Sequence, residues 1–210
     1  MTITNSIENL YEVFSVYKPP AKIMTDNCIS CVTEEAEHFF LTKPLPQLND
    51  SLFGLYFYAC NIGSFPNKDH IYFIPRMLEL YPEQVSNVDF AFVEYFPFAF
   101  SLYNYKNSFP DNEKSAIDNF FDAYLIREFF DKNAYQDSHQ IIEIAIAGFD
   151  VIPFLIKLKS DFEVFSVTKQ EIIEYIDLKK VQSKGVHYSS FDEWRNFGTL
   201  SQLIAFLNQN

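Results

Sequence analysis

Apolar side chains recur three and four positions apart along most of this chain, which is the spacing of one face of an α-helix. The clearest stripe follows Ser108-Phe109-Pro110, a sequence that suits a helix start. Its members are Ile117, Phe120, Phe121, Tyr124 and Leu125. A second regular stripe near the end of the chain consists of Leu200, Leu203, Ile204 and Leu207. Strand-like alternation is scarce, so the pattern predicts an all-α protein.

Capping residues and prolines indicate where several of these helices begin and end. One helix is expected to start after Asn67 and to run to about Tyr81. Pro75 should kink or break it, because proline lacks the N–H that the helix interior needs, and Pro82 should end it. We expect eight or nine helices of roughly 8–20 residues with short connections, which force neighbouring helices to lie antiparallel.

Three further signals lie in the second half of the chain. Ser138 is placed to cap a helix that Gly148 ends, and Asp150 is placed to cap the next. Thr168-x-x-Glu171 has the form of a capping box and predicts another helix start. No long polar linker interrupts the pattern, so we expect antiparallel helical hairpins in a single domain, residues 1–210, with residues 1–32 partly irregular around Pro19-Pro20.

The net charge and the number of aromatic residues limit the class of partner that the chain can bind. The chain has 28 acidic residues against 16 Lys and Arg, a net charge of -12, which argues against nucleic acid and favours a basic partner. It also has 24 Phe, 13 Tyr and 1 Trp, more ring area than a core of this size requires. Codon bias in an AT-rich genome is the alternative explanation for the rings. The acidic surface alternatively serves only solubility.

The chain start and the apolar stretches predict a cytoplasmic protein that does not bind membranes. The first residues contain neither a cationic segment nor an apolar segment of the secretory type. The longest uncharged apolar stretch, Tyr95 to Tyr103, is roughly half of a bilayer span. Three cysteines fit a reducing compartment better than a disulfide scaffold.

Carboxylates on two predicted helices form the candidate partner-binding site. Asp111, Asp118 and Asp122 fall within about 40° of one another and roughly 120° from the apolar stripe of their helix, at about 100° per residue. Glu171 and Glu174 lie on a later helix. Carboxylates held on rigid helices can attract Arg and Lys of a partner. The alternative interpretation is an ordinary solvated helix face.

Cys28-Ile-Ser-Cys31 has a spacing found in metal and redox sites. Two thiolates two residues apart can bind one Zn²⁺, and His38 could be a third ligand. Since a structural zinc site needs four ligands, His70 or Cys60 would have to supply the last. Two ordinary cysteines in a turn, or a redox pair, are the alternatives that the sequence leaves open.

The sequence contains no recognised catalytic constellation. The His-Glu-x-x-His and Gly-x-Ser-x-Gly motifs and Gly-rich phosphate loops are absent, and five glycines in the whole chain leave little material for a phosphate cradle. Glu34, Glu35 and Glu37 beside His38 look like a catalytic cluster. Thr33 is, however, a good N-cap, and acidic residues are expected in a first helical turn.

The first half of the chain resembles a family of uncharacterised bacterial proteins. The resemblance covers about residues 14–96 and rests on the order Val16-Tyr17-Lys18-Pro19-Pro20, Cys28-Ile-Ser-Cys31, Pro44-Leu45-Pro46-Gln47-Leu48, Leu55-Tyr-Phe-Tyr-Ala59 and Phe73-Ile-Pro75-Arg76-Met-Leu-Glu79-Leu80. The family has no assigned activity. The resemblance implies a helical bacterial protein and draws attention to Cys28 and Cys31.

These observations lead to one leading functional hypothesis. We expect a non-enzymatic acidic protein-binding module of the kind that sequesters a basic toxin, such as an immunity protein. A zinc-binding structural or sensor protein that uses Cys28, Cys31 and His38 is the alternative. A helical enzyme with an unrecognised site is the third hypothesis. Under the leading hypothesis no cofactor is needed.

Overall fold

The computed structural model describes residues 1–22, 34–49, 68–87, 100–101, 104–130, 138–182 and 199–209. These residues form nine α-helices and two 3-10 helices and contain no β-strand. The all-α prediction is confirmed for this part of the chain. Antiparallel hairpin packing and the single domain 1–210 stay predictions.

The helices are numbered here in chain order. The α-helices are α1 (Ile3–Phe14), α2 (Glu34–Thr42), α3 (Ile74–Asn87), α4 (Tyr105–Ser108), α5 (Asp111–Phe130), α6 (His139–Ala147), α7 (Ile152–Leu158), α8 (Phe162–Gln182) and α9 (Leu200–Gln209). The two 3-10 helices are Leu45–Gln47 and Lys68–Phe73. One cluster of buried apolar side chains receives residues from every one of these α-helices. None of the described helices has the length and apolarity needed to cross a membrane.

Helix α5 lies at the centre of this core and packs most extensively against α1. All five side chains of its predicted apolar stripe are completely buried, which confirms the stripe. The buried surface is wider than predicted, because Ala116, Ala123 and Phe129 are buried as well. The rings of Phe120 and Tyr124 lie parallel, with centroids 6.2 Å apart. A helix buried over most of its circumference gives the surrounding helices a common packing surface.

The N-terminal region begins with a helix before it becomes irregular. Helix α1 starts after Thr2, whose side-chain oxygen accepts the Asn5 N–H at 3.2 Å. Leu10 and Phe14 are buried, which places one face of α1 in the core. Residues 17–20 then have no regular structure, and residues 23–33 lie outside the described residues.

Two prolines act differently from the sequence prediction. A 3-10 helix changes to α3 at Ile74, so Pro75 lies in the first turn of α3, where a missing N–H costs no intrahelical bond. Pro82 does not end the helix, which continues to Asn87. Leu78 and Tyr81, in the turn before Pro82, are buried and anchor this part of α3 in the core.

The Thr168 capping box prediction is wrong. Helix α8 runs unbroken from Phe162 to Gln182, and Thr168 lies buried inside it. The helix start is instead marked by Asp161, whose Oδ1 accepts the Val164 N–H at 3.2 Å. Phe165 and Ile172 are buried on either side of Thr168, so burial of one continuous face holds the two halves of α8 in a single helix.

The predicted end of α6 and the predicted start of α7 are confirmed, whereas the predicted Ser138 cap of α6 is wrong. Gly148 ends α6 with a φ of 106°, and its N–H bonds to the Ala145 carbonyl at 3.1 Å. Asp150 Oδ1 accepts the Ile152 N–H at 3.1 Å, which caps α7. Ser138 precedes α6 without capping it, because its hydroxyl donates to Glu171 instead.

Candidate functional site

Tyrosine hydroxyl groups join distant helices through carboxylate acceptors. Tyr17 donates to Glu113 at 2.8 Å, Tyr81 donates to Glu143 at 2.9 Å, and Tyr105 donates to Asp118 at 2.8 Å. Two further bonds of this type are Tyr11 to Glu79 and, with an amide acceptor, Tyr124 to Gln140. Part of the surplus of rings and acids is therefore used inside the molecule.

Burial keeps Tyr17 and Tyr105 neutral, and their carboxylate partners add to the effect. Burial, followed by the bond to Glu113, raises the pKa of Tyr17 to about 12. Burial raises the pKa of Tyr105 further, and the negative charge of Asp118 adds to the effect. A phenol with a raised pKa is a hydrogen-bond donor at neutral pH and a poor general base. The geometry thus gives these tyrosines a structural role.

Asp118 does not extend freely into solvent as the helical angle predicts. The short helix α4 brings Tyr105 and Lys106 beside it, and the Lys106 Nζ lies 2.6 Å from both carboxylate oxygens. The side chain of Asp118 is 33% exposed. Its charge is therefore already paired inside the molecule, and its capacity for a further partner is reduced.

The other two predicted binding acids of α5, Asp111 and Asp122, extend outward. Asp111 is 99% exposed and lies 3.1 Å from Lys114 one turn along the helix. Such an exposed pair contributes little to stability, so a partner can displace Lys114 at small cost. Asp122 is exposed, and no described residue forms a hydrogen bond or an ion pair with it. Asp111 and Asp122 are therefore the predicted acids of α5 that a partner can reach.

The two predicted acids of α8 differ in the same way. Glu171 is exposed but accepts the Ser138 hydroxyl, which ties α8 to α6. Glu174 is exposed and accepts only the Gln170 side-chain amide, at 2.7 Å on its own helix. Helix α8 packs mainly on α6 and α7, whereas α5 packs mainly on α1. The acids of α5 and those of α8 thus lie on helices that pack mainly on different neighbours.

Cations of the described residues are largely covered by aromatic rings or paired with acids. Lys159 lies between two rings, with its Nζ 5.4 Å from the centroid of Phe165 and 5.1 Å from that of Phe206. Other cation–ring contacts are Lys43 on Phe39, Lys106 on Tyr105 and Phe149, Arg127 on Tyr124, and Lys157 on Phe130. Arg76 pairs with Glu79 at 2.6 Å. These contacts hold the ammonium and guanidinium groups close to aromatic faces, where they keep their positive charge.

The first half of α8 carries a surface that sequence reasoning missed. Glu163, Val167, Gln170 and Glu174 recur at the spacing of one helix face, and we call these four residues the α8 stripe. Val167 is 55% exposed, and Phe162, just before the stripe, is 79% exposed. The sequence predicts a helix start at Thr168, which would place Val167 outside the helix that contains Glu174. The two residues are therefore not expected to share a helix face. The exposed apolar residues ahead of Thr168 were the available signal.

The structure leaves the proposed zinc ligands mostly untested. Cys28, Cys31 and Cys60 lie outside the described residues, as does the side chain of His70. His38 lies exposed on α2, so its imidazole is accessible to solvent. Among the described residues, no three or more His, Cys, Asp or Glu side chains converge as a metal site.

No protein-family model, curated protein or solved structure matches this chain. The resemblance of residues 14–96 to uncharacterised bacterial proteins stays a prediction.

Proposed function

We propose that this protein is a non-enzymatic binding module for a cationic protein. The partner class that fits best is a basic toxin domain, which the module neutralises in the cytoplasm as an immunity protein does. The supporting observation is the sorting of charge among the described residues: exposed carboxylates such as Asp122 and Glu163 outnumber exposed lysines. The whole chain has a net charge of -12.

This sorting favours fast association with a cationic partner. A surface of one sign steers an oppositely charged molecule during encounter, and the attraction falls as salt screens it. The same -12 charge repels the phosphates of nucleic acid, so the proposal names a protein partner.

The stiffness of the scaffold supports the same function. Tyr17 and Tyr105 join separate helices through carboxylates, and α5 is buried over most of its circumference. Carboxylates held on such helices lose little conformational freedom when a partner binds, so less of the interaction energy is lost to ordering.

Binding of basic proteins encoded beside this chain tests the proposal. We expect association with a dissociation constant at or below about 1 μM near 0.1 M salt, weakening at least about tenfold near 0.5 M salt. Calorimetric titration at both salt concentrations measures this. Salt-independent binding, or no binding by any such protein, contradicts the proposal.

Matched single-charge variants locate the effect on the surface. Asp122→Asn and Glu163→Gln each remove one exposed negative charge, while Glu113→Gln removes one that is buried. Stopped-flow association rates should fall by about twofold for the exposed substitutions, because charges at the surface steer encounter. Glu113→Gln should leave the rate unchanged. Equal effects of all three variants would assign the attraction to net charge alone.

Zinc binding through Cys28, Cys31 and His38 stays the alternative proposal. The exposed position of His38 near the start of the described part of α2 is compatible with it, since only seven positions separate His38 from Cys31. A structural or sensor role would follow if four ligands meet there.

A further inference from the structure

We propose that the contact between Tyr17 and Glu113 is a pH-sensitive latch that holds the segment after α1, residues 15–22, on the first turn of α5. Ionisation of Glu113 favours local opening of this segment, while α1 stays packed on α5. The latch is a property of the fold and does not depend on the partner named in the proposed function.

Glu113 is buried in a helical turn whose neighbouring residues are exposed. Its own exposed fraction is 3%, whereas Asp111 and Asn112 just before it are exposed. Its Oε1 accepts the Tyr17 hydroxyl at 2.8 Å, and its Oε2 has no hydrogen-bond partner among the described residues. An ionised carboxylate in this position lacks most of the hydrogen bonds that water would supply. Contact with water would therefore stabilise the ionised form.

The segment after α1 can open at a lower free-energy cost than the interface between α1 and α5. Most of its side chains are exposed, and residues 17–20 have no regular structure. Its two anchors are the buried Pro20 and the half-buried Tyr17, whose ring centroid lies 5.8 Å from that of Phe14. Helix α1, by contrast, packs extensively on α5. Segments with few buried contacts open locally without unfolding of the whole protein.

The protonation of Glu113 gives the latch its direction. Burial raises the pKa of Glu113, and the bond from Tyr17 opposes that rise without cancelling it. The closed state therefore binds the proton more tightly than an open state in which the carboxyl group is hydrated. Its stabilisation is complete below 4.5, the ordinary pKa of the group, and is lost as the pH rises through the closed-state pKa. The segment should thus open more often at neutral pH than in acid.

Burial and the Tyr17 bond are the causes of the raised Glu113 pKa among the described residues. The other charged groups of the elements that meet here are exposed or paired with one another. The exposed ones are Glu8 and Glu12 on α1 and Lys18 and Lys22 in the segment, and the pairs are Asp111 with Lys114, Lys106 with Asp118, and Arg76 with Glu79. The titration of Glu113 is therefore the one that the latch couples to opening.

Hydrogen exchange of the Tyr17 N–H, which bonds to the Phe14 carbonyl at 3.1 Å, tests the latch. After correction for the intrinsic exchange rate, its protection in wild-type protein should fall by at least about threefold between about pH 4 and pH 7. Its exchange rate should be insensitive to low concentrations of urea, because a local opening exposes little surface. Exchange followed by NMR or mass spectrometry measures both quantities.

Three variants assign the response to Glu113. Glu113→Gln cannot titrate, so its Tyr17 protection should change by less than about 1.5-fold over the same pH range. Glu8→Gln removes an exposed carboxylate from α1 and should keep the wild-type response. Tyr17→Phe keeps the ring but removes the bond that lowers the Glu113 pKa, so its loss of protection should exceed that of wild type. If Glu113→Gln does not fold, the comparison of Tyr17→Phe with wild type decides.

Three results would overturn the inference. An equal pH response in wild type and Glu113→Gln would assign the opening to other titrating groups. A Tyr17 exchange rate that rises with urea as steeply as the rates of amides in α5 would assign it to global unfolding. Unchanged protection of wild-type protein across the two pH values would show that residues 15–22 do not respond to Glu113.

Discussion

The hydroxyl of Tyr17 donates to Oε1 of Glu113 at 2.8 Å, across 96 positions of sequence. This bond joins the segment after α1 to the first turn of α5. The carboxylate is buried, and its Oε2 has no hydrogen-bond partner among the described residues. Burial raises the pKa of Glu113 above its ordinary value of 4.5, and the bond from Tyr17 opposes that rise.

The first prediction is a pH-dependent effect of Glu113→Gln. Because the folded-state pKa of Glu113 is raised, its stabilising contribution is complete below 4.5 and is lost as the pH rises through the folded pKa. Glutamine does not titrate. The free energy of unfolding of Glu113→Gln should therefore improve relative to wild type between about pH 4 and pH 7. Urea titrations at both values measure the difference.

Two further variants separate this effect from simple loss of charge. Tyr17→Phe removes the bond that lowers the Glu113 pKa, so stability should fall more steeply with rising pH than in wild type. Glu8→Gln removes an exposed carboxylate on α1 and should show a much smaller change with pH. A pH-independent difference between Glu113→Gln and wild type contradicts the prediction.

The second prediction compares two acids of α5. Asp118→Ala leaves the buried Tyr105 hydroxyl without its acceptor and should lower the free energy of unfolding by about 1–3 kcal/mol. The half-exposed pair with Lys106 adds little to this loss. Asp122→Ala removes an exposed side chain and should leave stability unchanged within error. Denaturant titration measures both, and equal losses would contradict the internal role of Asp118.

The third prediction concerns the buried pair Tyr124 and Gln140. The Tyr124 hydroxyl donates to the Gln140 carbonyl oxygen, and the Gln140 Nε2 has no partner among the described residues. Gln140→Met alone removes the acceptor of this buried bond and should cost about 1–3 kcal/mol. The double variant with Tyr124→Phe should cost less than the two single variants added together. Strict additivity in a double-mutant cycle would show that the bond contributes nothing.

The fourth prediction is the cost of a side chain at Gly148. Its φ of 106° is unfavourable for L-residues, and a Cβ there would lie 3.2 Å from Cε1 of Tyr105. Gly148→Ala should therefore destabilise the protein by about 1–2 kcal/mol. A thermal unfolding midpoint at or above that of wild type would contradict the conformation assigned to the end of α6.

The fifth prediction decides the zinc alternative. A site formed by Cys28, Cys31 and His38 predicts about one zinc per chain in protein purified without chelator. Cys28→Ser and Cys31→Ser should each lower that content, while His139→Asn should not. Elemental analysis measures it directly. Less than about 0.1 equivalent in wild type excludes the zinc hypothesis.

The sequence correctly predicts the helices for which the capping signals and the apolar stripe indicate the same bounds. Helices α5 and α9 follow apolar stripes, and Gly148 and Asp150 end and start helices as their chemistry requires. The predictions at Pro82 and Thr168 are wrong because each relies on a local signal alone. Past Thr168 a buried face continues through Ile172 and Ile176 and stabilises the longer helix.

The candidate site was only partly predictable for a similar reason. A helical angle tells which acids share a face, and Asp122 is exposed as expected. The angle cannot tell that Tyr105 donates to Asp118 or that Ser138 donates to Glu171, because both bonds depend on how separate helices pack. Contacts between lysines and rings depend on tertiary packing in the same way.

The position of Lys159 between two rings has a practical consequence for labelling and immobilisation. Amine-reactive esters should modify Lys159 slowly, because its ammonium group lies between two aromatic faces. Carbodiimide activation should act readily on solvent-accessible acids such as Glu163. A biosensor chip coupled through carboxyl groups would thus block the surface under test, whereas coupling through an engineered terminal tag would leave it open.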